Sequence, residues 1–87
     1  MRVYLQTPLT TAGDEQRVPR FCHLIVQEDI LGGWTLIKET GYQGSKGRVT
    51  RQQYPEQEQA ITALIKERDR QINCGYKVVF IEGQAQI

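Results

Sequence analysis

Only one stretch of the chain carries a helical repeat, and it is bracketed by residues that start and stop helices. Ile61, Leu64, Ile65, Arg68 and Ile72 recur at spacings of three and four, which places them along one face of an α-helix. Pro55 precedes them, with the fixed φ and missing N–H that suit a first helical position. Glu56 and Glu58 stand where the helix dipole favours negative charge. Asn73 and Gly75 follow the last periodic residue, and Gly75 is suited to a left-handed C-terminal cap. A single helix has one apolar stripe to bury, so the rest of the chain has to supply one surface for it.

The flanking segments are built for strands. Residues 2–6 place Val3 and Leu5 on one side. Residues 20–27 (Arg-Phe-Cys-His-Leu-Ile-Val-Gln) are rich in β-branched and aromatic side chains. Gly32-Gly33 ends the next connection, and Trp34 to Thr40 reads as the partner strand of a hairpin. Arg48 to Tyr54 is β-compatible but polar, which predicts an edge strand or one with a solvated face. Tyr76 to Ile81 is a last apolar strand, whereas residues 7–17, with Pro8 and Gly13 among polar neighbours, read as a loop. The expected order is β–β–β–β–α–β. It is an α+β class, with a curved antiparallel sheet of about five strands and one long helix packed on one face.

At 87 residues the chain supports one core and one domain. A compact fold of that length has a radius of gyration of about 12 Å. Residues 1–19 are read as the N-terminal strand and polar loop, 20–82 as the domain proper, and 83–87 as a short tail. No run of 18 apolar residues and no apolar leader segment is present, so neither a membrane partner nor export is expected. Cys22 and Cys74 are read as two reduced, buried thiols, which fits a cytoplasmic location.

Catalysis has little to work with. His23 is the only histidine and no Cys-x-x-Cys exists, so the ligand pool falls short of a metal site. Cys22 and His23 are neighbours and point to opposite faces of a strand, which makes them weak candidates for a nucleophile–base pair. The carboxylate pairs Glu56/Glu58 and Glu67/Asp69 belong to the wet side of the helix. No cofactor is implied, and the chain is read as non-enzymatic.

The segment Gly41 to Gly47 holds three glycines in seven residues. It is followed by a strand and not a helix, so it is neither a Walker A loop nor a dinucleotide fingerprint. One reading is a wide hairpin turn. The sharper one is anion contact, because Lys46, Arg48 and Arg51 cluster there and no acid lies between residues 40 and 55. Tyr42, set among glycines, reads as an exposed contact or a folded-back anchor. Trp34 reads as core or half-buried. Net charge is only +1, which excludes strong non-specific binding to nucleic acid but leaves a weak local contact open.

Taken in order, Phe21-Cys22-His23-Leu24, Gly32-Gly33-Trp34-Thr35-Leu36-Ile37-Lys38-Glu39, Gly41-x-x-Gly44-x-x-Gly47 and Ala60-Ile61 through Leu64 to Gly75-Tyr76 resemble the WGR domain over about residues 20–80. WGR domains occur in poly(ADP-ribose) polymerases and in bacterial proteins, some of them stand-alone. Their naming Trp-Gly-Arg triplet corresponds to Thr40-Gly41-Tyr42 here, with only the glycine retained. In the polymerases the family tryptophan stacks on the end of broken DNA. The resemblance implies a DNA or RNA partner, approached through Gly41, Tyr42, Lys46, Arg48 and Arg51. Near-zero net charge and the changed triplet favour the alternative, a protein-interaction module that binds a partner or itself.

Overall fold

A computed structural model describes residues 1–8, 10–12 and 15–83, with the backbone alone for 10–12 and 15–17. The elements in chain order are β1 (Arg2–Gln6), β2 (Thr10–Ala12), β3 (Glu15–Arg17), β4 (Arg20–Glu28), β5 (Trp34–Tyr42), β6 (Arg48–Tyr54), α1 (Gln57–Asn73) and β7 (Lys77–Glu82). Five strands form an antiparallel sheet in the order β6-β5-β4-β1-β7, and β2 pairs with β3 alone. The α+β architecture is therefore as expected, with β4-β5-β6 a meander and β6 an edge strand.

Alternation along the strands gives the sheet two unlike faces. Val3, Leu5, Cys22, Leu24, Val26 and Leu36 are buried under α1 against Ala60 and Leu64, and Trp34 and Tyr54 pack half-buried at their margin. Removing a Leu24 or Leu64 side chain from water is worth about 1.5–3 kcal/mol each. The opposite face carries Tyr4, Phe21, His23, Ile25, Ile37 and Val49, and no helix lies over it. Tyr4 and Phe21 stack with ring centroids 6.1 Å apart, and Tyr4 meets His23 edge-on at 5.5 Å.

Several expectations are corrected. Residues 10–12 and 15–17 form a β-hairpin, not a loop. Gln6 lies opposite Phe21 and Thr10 opposite Arg17, so β1–β4 and β2–β3 share one unbroken register. Thr7 N–H donates to the Arg20 carbonyl at 2.8 Å, and Arg20 N–H to Thr7 Oγ1 at 2.8 Å. That register sets Pro8 opposite Pro19. Neither has an N–H to give, and the ladder splits there into a sheet and an outlying arm. The radius of gyration is accordingly 14.3 Å, above the compact value.

The helix begins at Gln57, with Pro55 two residues before it and Glu56 as N-cap in extended conformation. Glu56 N–H donates to Gln59 Oε1 at 3.3 Å. The buried line on α1 is Ala60, Leu64 and Gln71, while Ile61 and Ile65 are half-buried and Ile72 is exposed. Gly75 has φ +99° and follows the C-cap Cys74 as anticipated. Cys22 is buried, but Cys74 is exposed. Tyr76 belongs to the core and precedes β7.

Candidate nucleic-acid interface

Gly41 and Tyr42 are the last residues of β5, the chain turns at Gln43-Gly44, and Arg48 opens β6. The turn is held from inside, since Ser45 donates both its N–H and its Oγ–H to the Tyr42 carbonyl, at 3.1 and 2.8 Å. It is also tied to the residue just before β4, because Gln43 N–H donates to the Pro19 carbonyl at 2.8 Å. Gly41 and Gly47 face each other across the hairpin. A Cβ on Gly41 would lie 3.0 Å from the Gly47 Cα and 3.3 Å from the Phe21 ring. A Cβ on Gly47 would lie 2.7 Å from Glu39 Cγ and 2.9 Å from the Thr40 carbonyl oxygen. Both positions need a missing side chain, and this close approach holds the hairpin end narrow.

Tyr42 is 56% exposed. It pairs with Arg20 across the β4–β5 ladder, and the Arg20 guanidinium carbon sits 5.5 Å from the Tyr42 ring centroid. That is a cation–π distance. The Tyr4 hydroxyl donates to Gln43 Oε1 at 3.3 Å. The end of the hairpin therefore presents a ring, a guanidinium and an amide side by side.

The basic residues do not form one patch. Arg48 lies opposite Thr40 and Arg51 opposite Ile37, so the two arginines leave opposite faces of β6. Arg51 lines a cleft of about 310 Å³ together with Glu28, Asp29 and Gln53. Asp29 is itself engaged, accepting from Leu31 N–H at 3.1 Å and Gln53 Nε2 at 3.2 Å. Gly41, Tyr42, Lys46 and Arg48 are thus gathered at one end of the sheet, and Arg51 is not.

Arg20 and Lys77 join that end, and sequence reading alone missed both. Lys77 is opposite Gln6, Gln6 opposite Phe21, and Phe21 opposite Gly41, so one row runs across the sheet beside the hairpin. Seeing this requires the strand order, which spacing along the chain does not reveal. The opposite end of the sheet carries Glu28, Asp29 and Glu82, with Glu56 and Glu58 at the helix start and Arg2 set against them. Cations thus outnumber acids at the hairpin end, where Glu39 lies against Gly47, and carboxylates outnumber cations at the other.

Away from this end, Glu67 on α1 is the most engaged ionisable group. It accepts from Lys38 Nζ, from Arg70 Nη2 at 2.8 Å and Nε at 3.1 Å, and from Gln71 Nε2 at 3.0 Å. Burial alone would raise its pKa, but hydrogen bonds from Arg70, Lys38 and Gln71 outweigh that and hold it at about 2. Nearby, burial pushes the Cys22 thiol up to about 11, so it is no nucleophile at neutral pH. His23 Nε2 is enclosed without a hydrogen-bond partner, and burial, then Arg2, lowers its pKa. Cys22 and His23 point to opposite faces, as the sequence requires. No cluster of potential metal ligands exists among the described residues, and no described helix is long and apolar enough to cross a membrane. Comparison of the chain with protein-family models, with curated proteins and with solved structures finds no match.

Proposed function

We propose that the protein is a non-enzymatic binding module that contacts the phosphate backbone of nucleic acid through one end of its sheet. Arg20, Lys46 and Arg48 are the phosphate-contacting side chains in this reading, and Tyr42 offers a face on which a terminal or unpaired base can stack. The observation that carries it is the segregation of charge along the strands. A net charge of +1 conceals one end where Arg20, Lys46, Arg48 and Lys77 outweigh Glu39 and another dominated by carboxylates. A backbone ligand approaching such a molecule is drawn to one end and repelled from the other. The motif resemblance to WGR domains points the same way, with Tyr42 as a displaced stand-in for the family's stacking tryptophan.

Titration of a labelled blunt-ended duplex over a salt series tests this. Three phosphate contacts give log K against log salt a slope of about −2.7, and replacing Arg48 or Lys46 by Ala removes about 0.9 of it. Arg51→Ala is the internal control and leaves the slope unchanged, since Arg51 faces the acidic cleft. Absence of binding at low salt, or a slope that responds to Arg51 as much as to Arg48, would overturn the assignment. A protein-contact role is favoured by a separate feature, the exposed apolar strand β7.

A further inference from the structure

The strand β7 is the outer edge of the sheet and is unusually apolar for that position. Val78, Val79, Phe80 and Ile81 are 37%, 60%, 45% and 41% exposed. Its inner side pairs with β1, and no other described strand pairs with its outer side. An edge of this kind is a template for another strand.

Its pattern specifies which strand. The β1–β7 register shifts between Tyr4 and Leu5, where Tyr4 lies opposite Phe80 and Leu5 opposite Val78. Val79 is the extra residue of a β-bulge. Because Val3 and Leu5 are buried under the helix, their partners Ile81 and Val78 lie on the helix-covered face. Lys77, Phe80 and Glu82, opposite Gln6, Tyr4 and Arg2, lie on the open face. Lys77 and Glu82 are five residues apart and would leave a regular strand on opposite faces; the bulge brings them to the same one.

We infer that β7 pairs antiparallel with β7 of a second copy of this chain, joining two five-stranded sheets into one of ten strands. Two antiparallel edge strands related by a two-fold axis must place the axis perpendicular to the sheet, so facing residues share a face. Centred on Phe80, the axis sets Lys77 opposite Glu82 of the other copy, Val78 opposite its Ile81, and Phe80 opposite Phe80. Every β7 residue except the bulged Val79 then has a partner, each of matching chemistry. Centring the axis one position either way sets Phe80 against a charged residue and leaves two residues of the strand unpaired. Opposite charges at the two ends of an apolar strand are thus self-complementary in one register only. The inference does not rest on the nucleic-acid reading: Lys77 belongs to both surfaces, but the phosphate-contacting residues proposed there, Arg20, Lys46 and Arg48, lie outside β7.

Sedimentation velocity over a concentration series tests it, with a charge-swap set. The wild-type protein is expected to be a reversible dimer. Lys77→Glu and Glu82→Lys each create two like-charge pairs at the seam and raise the dissociation constant by about tenfold. The double variant Lys77→Glu/Glu82→Lys restores wild-type association, and Phe80→Glu, with two carboxylates on the axis, gives monomer. Lys77, Phe80 and Glu82 are exposed, and circular dichroism establishes that each variant is folded. A wild-type monomer at every concentration overturns the inference. So does a dimer indifferent to the single charge reversals, or one the double swap fails to restore.

Discussion

Glu67 faces the sheet from a helix position that sequence periodicity gives to solvent, and it does so because Lys38 waits for it on β5. Its carboxylate titrates at about 2 against an ordinary 4.5. A carboxylate whose folded pKa is depressed stabilises the fold above the unfolded pKa, and that stability is lost as pH falls through the folded value. The contribution is therefore complete at neutral pH and disappears between about pH 4.5 and 2. Glu67→Gln is expected to cost about 1–3 kcal/mol near pH 7. Urea denaturation of the two proteins should show that difference shrinking through this window, and a gap constant with pH would refute it. The sequence placed Leu64 correctly because an apolar residue needs only a face to bury against. It misplaced Glu67 because its burial depends on a partner, and Lys38 is 29 residues away. Arg20 was missed as a neighbour of Tyr42 for the same reason.

At the scale of elements, the glycines of the β5–β6 hairpin look equivalent in sequence and are not equivalent in space. Gly44 makes the turn, whereas Gly41 and Gly47 leave room for each other and for Phe21 and Glu39. Gly47→Ala is expected to destabilise by about 1–3 kcal/mol, because its Cβ meets the Thr40 carbonyl, which is backbone and does not give way as Glu39 can. A urea midpoint unchanged by that substitution would contradict the close approach described here. The sheet strands and the helix were readable from their periods, and the stop at Gly75 from its type. The β2–β3 arm was not, because the opposed prolines that split it from the sheet are the punctuation that marks a loop. The buried stripe of α1 was rotated for a similar reason. Ile72 matches the apolar spacing but falls beyond the sheet's cover, while small Ala60 permits close contact.

Across the whole molecule, a formula charge of +1 described the protein poorly, since strand order turns it into two ends of opposite sign. Part of the candidate site was therefore visible beforehand as a basic run, and part of that run, Arg51, proved to face elsewhere. Strand order has a second effect: β7 returns to lie beside β1, so Glu82 pairs with Arg2. A chain ended at Asn73 keeps the helix and the meander but leaves Val3 and Leu5 on an unprotected edge. Such a truncation is expected to lose its cooperative urea transition, and a sharp transition near the wild-type midpoint would show that β7 is dispensable. The same closure makes the order of synthesis matter. During translation β1 is made well before its partner β7, and in the interval it has only β4 to pair with. The sheet closes only once β7 is made, and until then β1 is an open edge of the kind another chain can pair with.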